Sequence, residues 1–373
     1  MIKPSEFISE LDQFIDFYTG VPDSLLKDFC ALLSDSKSDH QHIIAANEGN
    51  SVALAAGHYL GTGKPSLVYM QNSGLGNTVN PLVSLTDRDV YRIPLLLLVG
   101  WRGEPGKKDE PQHVKQGKIT TSLLECLGID YAVIDENSDI KGVLLKARSY
   151  LDQELPFAIV VKKGCFEPYQ LQHKKADLSD FSREEALDVI LEHTDDSGFF
   201  VSTTGTISRE LFELRGKREQ GHNRDFLIVG SMGHTSQIAA GVALSRKEKR
   251  VYCVDGDGSV LMHMGSLAVN ASVSPDNLVH FVLNNGAHDS VGGQPTVASD
   301  LSLDKIASSC GYKNCFSCSN PGELKKALQE VAENKVLSLI EVRVKKGSRK
   351  DLGRPTVSPV ECKKAFMAEL DRN

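Results

Sequence analysis

The sequence predicts an α/β protein of two doubly wound domains with mainly parallel sheets, and three observations predict it. Short apolar runs of strand length alternate with longer helical patterns along most of the chain, and crossover helices of that kind cover both faces of a parallel sheet. The 373 residues exceed what one hydrophobic core usually organises. A polar stretch near the middle, QLQHKKADLSD at 170–180, interrupts the alternation and reads as a linker. The expected domains are therefore 1–169 and 181–373.

In the first half, apolar runs place strands at 17–19, 42–45, 66–71, 93–100, 131–134 and 157–162. Helical spacing places helices between them, among others at 24–33, 49–60, 114–127 and 140–151. In the second half, Ser182 and Glu185 form a capping-box pattern that opens a helix running to about His193. Strands are expected at 198–202, 226–229, 251–254, 278–283 and 337–344, with helices at 235–244 and around 266–272. The alternation repeats without obvious repetition of sequence.

Composition narrows the class of function. Hydrophobic residues at 40% and charged residues at 24% are those of an ordinary globular protein. A net charge of -7 argues against broad nucleic-acid binding. No apolar run approaches the ~20 residues of a membrane span, and the start MIKPSEFISELDQF has no signal-peptide core. A cytoplasmic enzyme without nucleic-acid or membrane partners is the expectation. The eight cysteines then read as reduced thiols. Cys310, Cys315 and Cys318 match part of an iron–sulfur spacing, but no nearby fourth cysteine follows, so they read as core residues.

The chemistry concentrates at 254–294. One strand delivers Asp257 into the turn Gly256-Asp257-Gly258, and the next delivers Asn284-Asn285. Ligands in open α/β sheets sit at strand carboxyl ends, so these groups can share one crevice. Mg²⁺ prefers oxygen ligands and keeps phosphate oxygens among them, which Asp257 and an Asn amide suit. Gly230-Ser231-Met232-Gly233-His234 opens a helix rich in small residues, a geometry fit for diphosphate oxygens, and Thr204 after another strand is a further candidate for phosphate contact. Glu48 sits where an apolar strand meets an Ala-rich helix, and is expected to be partly buried there.

The spacing from GDG to NN, with Asp257 and Asn285 separated by 28 positions, resembles the thiamine diphosphate motif. The resemblance to the thiamine diphosphate-dependent 2-oxo acid decarboxylases covers nearly the whole chain. It implies two domains of the thiamine diphosphate-binding fold, pyrimidine-binding first and diphosphate-binding second. By it, Asp257, the Asn285 side chain and the Ala287 carbonyl hold Mg²⁺, Gly256, Gly258 and Ser259 line the diphosphate, and Met232 props the bent cofactor. Glu48 becomes the carboxyl that hydrogen-bonds the aminopyrimidine, where poor solvation raises its pKa and lets it share a proton.

The chain leaves no room for a central third domain, and that shortness is similar to the decarboxylases of phosphonopyruvate and sulfopyruvate. TGVPDS at 19–24, QNSGLGN at 71–77 and GWRGEPG at 100–106 look like the phosphonopyruvate branch, as does NNGAHDSVGGQPT at 284–296. The reaction so implied turns 3-phosphonopyruvate into phosphonoacetaldehyde and CO₂ in phosphonate biosynthesis. Alternatives are sulfopyruvate decarboxylation and a thiamine-dependent carboligase.

For a dianionic phosphonate, His288, Ser290, Gly292, Gly293 and Gln294 are candidate donors. Arg102 is a candidate anion clamp, Asp23 a polar wall, and His113 and His288 are candidate proton donors. The loop 102–118 reads by composition as solvated, or as folded over the site. The resemblance further implies a homodimer or larger assembly with the cofactor at the subunit interface.

Overall fold

The apolar runs do become strands, and each half of the chain builds a six-stranded sheet of its own. The computed structural model describes residues 1–173 and 175–372. In the first half the strands are β1 (Tyr18–Gly20), β2 (His42–Ile44), β3 (Ser66–Gln71), β4 (Leu95–Gly100), β5 (Asp130–Ile134) and β6 (Phe157–Val161). In the second they are β7 (Phe199–Ser202), β8 (Asp225–Leu227), β9 (Val251–Gly256), β10 (Leu278–Asn284), β11 (Asn314–Cys318) and β12 (Ser338–Arg343). Every pairing in both sheets is parallel.

The order of the first sheet is β2-β1-β3-β4-β6-β5, and the second reads β8-β7-β9-β10-β12-β11 from its β8 edge. Counted within each half, the two orders are the same. Strands buried on both faces need apolar side chains on both, and LLLLVG of β4 is buried at all six positions. Each sheet accordingly has one apolar cluster on either face.

The chain divides into a unit of Met1–Lys174 with His288–Gln294 and a unit of Lys175–Ala287 with Pro295–Asn373. The polar stretch after β6 is tied down from both sides. The Asp35 carboxylate accepts from the Tyr169 hydroxyl and from the backbone of Gln172 and His173. Lys175 reaches Ser299 and Asp300, and Lys346 donates to the carbonyls of Lys175 and Ala176.

Several boundaries differ from expectation for local reasons. The helix expected at 24–33 is Lys27–Ser36, because the Asp23 carboxylate accepts from Leu25 N and closes a turn first. The helix expected at 114–127 is Pro111–Cys126; Pro111 at its first turn lacks only a donor that would be unpaired there anyway. His113 therefore stands on a helix, not in a loop. The helix expected from Gly49 begins at Glu48, with Asn47 as its cap accepting from Gly49 N. β11, NCFSC, had no apolar signature strong enough to be anticipated, and it places Cys315 and Cys318 in a strand. All eight cysteines are free. Among the described residues no helix is long and apolar enough to cross a membrane.

Candidate active site

Three sequence-predicted site residues of the first half follow the carboxyl ends of strands, and the fourth, His113, lies in the helix Pro111–Cys126. Asp23 comes after β1, Glu48 after β2 and Arg102 after β4. Such loops meet where the strand order reverses, here beside β1 and β3.

Glu48 lies in the first turn of its helix and is 5% exposed. Burial pushes its carboxyl pKa up, partly opposed by a hydrogen bond in which Asn77 Nδ2 donates to Oε2 at 2.7 Å. The carboxyl lies against Gly74, where a Cβ would stand 2.6 Å from Oε1, so that position admits only glycine without displacing the acid. At Gly49 a Cβ would stand 2.7 Å from the Asn77 carbonyl. Two glycines thus let the helix bring Glu48 and Asn77 together.

Asp23 is fully buried, and burial raises its pKa. Its Oδ1 accepts from Gln71 Nε2 at 2.7 Å, and Gly100 makes room for Oδ2, which a Cβ there would meet at 2.0 Å. Arg102 does not present a free fork. Its Nε and Nη2 donate to both oxygens of Asp109 at 2.9 and 2.5 Å, and Nη1 donates to Ser24 Oγ at 2.9 Å. Asp109 also accepts from the backbone of Gly103 and Glu110, and the Arg102 hydrogen bonds hold it well below the usual carboxylate range. The loop 102–110 is therefore organised around Asp109 rather than freely solvated. Half-buried His113 has an Nδ1 with no hydrogen bond among the described residues, and burial, reinforced by Arg102, lowers its pKa.

The segment 288–294 closes on itself through His288, whose N–H donates to the Gln294 carbonyl and whose carbonyl accepts from Gly293 N. Gly292 and Gly293 take positive φ of 139° and 80°. Gln294 is fully buried and its Nε2 points to the Lys27 carbonyl at 3.4 Å, whereas Ser290 is exposed. These candidate phosphonate donors are thus not gathered on one face. Desolvation pulls the His288 pKa down to about 4.

In the second half Thr204 follows β7, Gly230–His234 follows β8, Asp257 follows β9 and Asn285 follows β10. Asp257 is 3% exposed, and burial pushes its pKa up to about 6 against the pull of its hydrogen bonds. Those bonds come from Thr296 Oγ1 at 2.5 Å and from the backbone N–H groups of Gly258 and Asn285. The Asn285 Oδ1 accepts from Ala287 N at 3.0 Å, which turns the chain so that Asn285 and Ala287 are both buried. Asn284 is committed elsewhere, to the Glu341 carboxylate and the Ala298 carbonyl.

Ser259 joins three loops: its Oγ accepts from Thr203 Oγ1 at 3.2 Å and from Gly233 N at 3.0 Å, which leaves its own proton to donate. Thr204 spends its proton on the Val229 carbonyl. Ser231 has φ 53° and Gly233 φ 89°, and a Cβ on Gly233 would meet His263 at 2.5 Å. Met232 is half-buried and His234 is exposed, with its ring 4.5 Å from that of His263.

These residues fit a divalent cation with a diphosphate. A buried carboxylate, an amide oxygen and a backbone carbonyl are hard oxygen donors, and a cation at Asp257 would relieve the desolvation that raises its pKa. The glycines at 230 and 233 provide close backbone approach. Asn77, Asp109, Gln71 and Thr296 are the site members that reading the sequence missed. All four lie within or beside strings already noted, yet only their contacts give them a role.

Comparison with known proteins agrees with the geometry. Residues 7–123 match the family model of the thiamine pyrophosphate enzyme N-terminal TPP binding domain, and 203–342 that of the C-terminal TPP binding domain. The chain is 36% identical over 367 residues to the phosphonopyruvate decarboxylase of Streptomyces viridochromogenes, covering 94% of this chain and 90% of that protein. It is 35% identical over 385 residues to that of Streptomyces hygroscopicus, covering 98% and 93%. With the sulfopyruvate decarboxylase of Methanosarcina acetivorans it shares 30% over 396 residues, covering 100% and 98%. The chain belongs to the phosphonopyruvate decarboxylase family of thiamine diphosphate-dependent carboxy-lyases.

Proposed function

We propose that this chain decarboxylates 3-phosphonopyruvate to phosphonoacetaldehyde and CO₂ in phosphonate biosynthesis, using thiamine diphosphate and Mg²⁺. The observation that carries the substrate is similarity from end to end to two phosphonopyruvate decarboxylases, at 36% and 35% identity against 30% for the sulfopyruvate enzyme. Bound thiamine diphosphate supplies a nucleophilic carbon and a sink for the electron pair left when CO₂ departs.

The chain's own residues do the rest. Glu48, held against Gly74 by Asn77, keeps a proton available at Oε1 or Oε2 for the aminopyrimidine nitrogen. Asp257, Asn285 and Ala287 would hold Mg²⁺, Gly230–His234, Thr204 and Gly256–Ser259 would bind the diphosphate, and Met232 would support the bent cofactor. Asp23, Arg102, Ser290, Gly292, Gly293 and Gln294 are assigned to substrate contact, which requires the 288–294 segment to rearrange, since Ser290 is exposed and Gln294 buried. Arg102 exchanges Asp109 for the phosphonate or carboxylate, a swap between two charge-assisted pairs.

One proton must be delivered to the product carbon. His113 and His288 are both held neutral near neutral pH, so each moves a proton through its N–H and lone pair rather than as an imidazolium. Buried Asp23, with its raised pKa, is an additional proton store. We also propose a cytoplasmic homodimer or larger assembly with the cofactor between copies, as the family resemblance implies.

The test is CO₂ release from 3-phosphonopyruvate with and without cofactor and Mg²⁺, with sulfopyruvate in parallel. Release should require both additions and favour the dianionic phosphonate by roughly tenfold or more in kcat/KM. Equal turnover of both substrates would overturn the substrate assignment.

A further inference from the structure

A second group of metal-ligating side chains lies inside the core of the second unit. β9 and β10 are paired so that Cys253 stands opposite His280 and Asp255 opposite Val282. Side chains two apart on a strand share a face, so Cys253 and Asp255 point the same way, and the register puts His280 beside them. One thiol sulfur, one carboxylate oxygen and one imidazole nitrogen all lie within 4.8 Å of one another, and all three residues are buried.

His280 is 0% exposed, and neither of its ring nitrogens makes a hydrogen bond among the described residues. Its Nε2 is 3.7 Å from Asp255 Oδ2, beyond hydrogen-bonding distance. The neighbouring polar groups bond to one another rather than to His280. Tyr312, whose ring centroid is 6.5 Å from that of His280, accepts from Asn270 Nδ2, and Asn270 Oδ1 accepts from Gln237. Among the described residues the Asp255 side chain accepts one bond, from Gly256 N to Oδ1, and Oδ2 lies 3.7 Å from the imidazole. Buried polar groups are ordinarily paired, and an imidazole with both nitrogens orphaned between a thiol and a carboxylate is the donor arrangement of a metal centre.

We propose that Cys253, Asp255 and His280 bind one divalent transition metal, zinc in the first place. Sulfur, nitrogen and carboxylate oxygen together suit Zn²⁺ rather than the hard Mg²⁺ expected at Asp257. A thiolate, a carboxylate and a neutral imidazole around a dication sum to zero charge, which removes the objection to so many polar groups in the core. The ligand–ligand edges of a tetrahedral zinc site are roughly 3.3–3.8 Å, so closure asks for shifts of about 1 Å or less. A water completes the fourth position. The metal clips β9 to β10 just before each strand runs into Asp257 and Asn285, and so fixes the spacing of the two loops. This reading does not depend on which 2-oxo acid is the substrate.

The test uses the full-length protein grown with added zinc and dialysed against metal-free buffer, followed by elemental analysis and anaerobic replacement by Co²⁺. About one equivalent of zinc per chain should be retained, and the Co²⁺ form should show a thiolate-to-metal absorption band and the d–d bands of a tetrahedral centre. Cys253→Ser should abolish the thiolate band and lower retained zinc at least roughly tenfold, as losing one of three protein ligands would. Buried variants can fail to fold, so the wild-type protein decides independently. Less than about a tenth of an equivalent of zinc, with no rise in melting temperature when zinc is added back, overturns the proposal. Unchanged zinc in a folded Cys253→Ser variant overturns it as well.

Discussion

At Glu48 a single carboxyl is placed where water would have stabilised its charge and does not. Its folded pKa is raised above the ordinary 4.5 by burial, so the protonated form is favoured. The stability this contributes is fully present below the unfolded value and is lost as pH rises through the folded one. Glu48→Gln cannot ionise. Thermal melts of the cofactor-free protein should therefore show no advantage for the variant near pH 4.5 and an advantage of a few degrees, roughly, at pH 8. Turnover should fall by about 10²-fold or more, because the amide cannot share the proton. Identical melting curves at both pH values would sink the account of a strained carboxyl. Glu48 itself was legible in the sequence, since an acid at the junction of an apolar strand and an Ala-rich helix is unusual company. Asn77 and Thr296 were not, because they reach Glu48 and Asp257 from 29 and 39 positions away. Nothing local to an Asn or a Thr announces a partner that distant.

Among the elements, the crossing of the loop after β4 with the helix Pro111–Cys126 is the tightest. A Cβ on Gly117 would lie 1.6 Å from the Gly103 carbonyl, and one on Gly103 would lie 2.0 Å from the His113 carbonyl. Both neighbours are backbone and cannot yield as a side-chain end can. Gly117→Ala should cost about 1–3 kcal/mol and open the loop that carries Arg102 and Asp109. Gly57, inside the helix Glu48–Thr62, is a matched control: a Cβ there meets nothing within 4 Å. Gly57→Ala should stabilise by about 0.5–1 kcal/mol, since it only removes freedom from the unfolded chain. Denaturant titration of the two variants checks the opposite signs. Element positions were largely readable, because strands buried on both faces need continuous apolar runs such as LLLLVG of β4. The helix at Pro111 was read three residues late because a loop rich in Gly, Pro and Lys runs into it without an apolar signal. β11 escaped because an edge strand of polar and sulfur residues has no alternation to reveal it.

For the whole molecule, the proposed assembly makes a prediction that no single chain makes. If each cofactor sits between copies, a mixed dimer of Glu48→Ala and Asp257→Ala chains retains one sound site. Co-refolding the two inactive variants in equal amounts should restore roughly a quarter of wild-type turnover by random pairing. No recovery would mean that each chain supplies both residues to its own site. The two sheets share one strand order, and each closes its own pair of apolar clusters. Between them the chain is gripped by Asp35 as far as His173 and by Asp300 and Lys346 from Lys175 onward. Each sheet draws all six of its strands from its own half of the chain. A break between the halves would cut no strand ladder, so the same sequence admits being encoded as two messages, with their dosage as a lever that a continuous chain lacks.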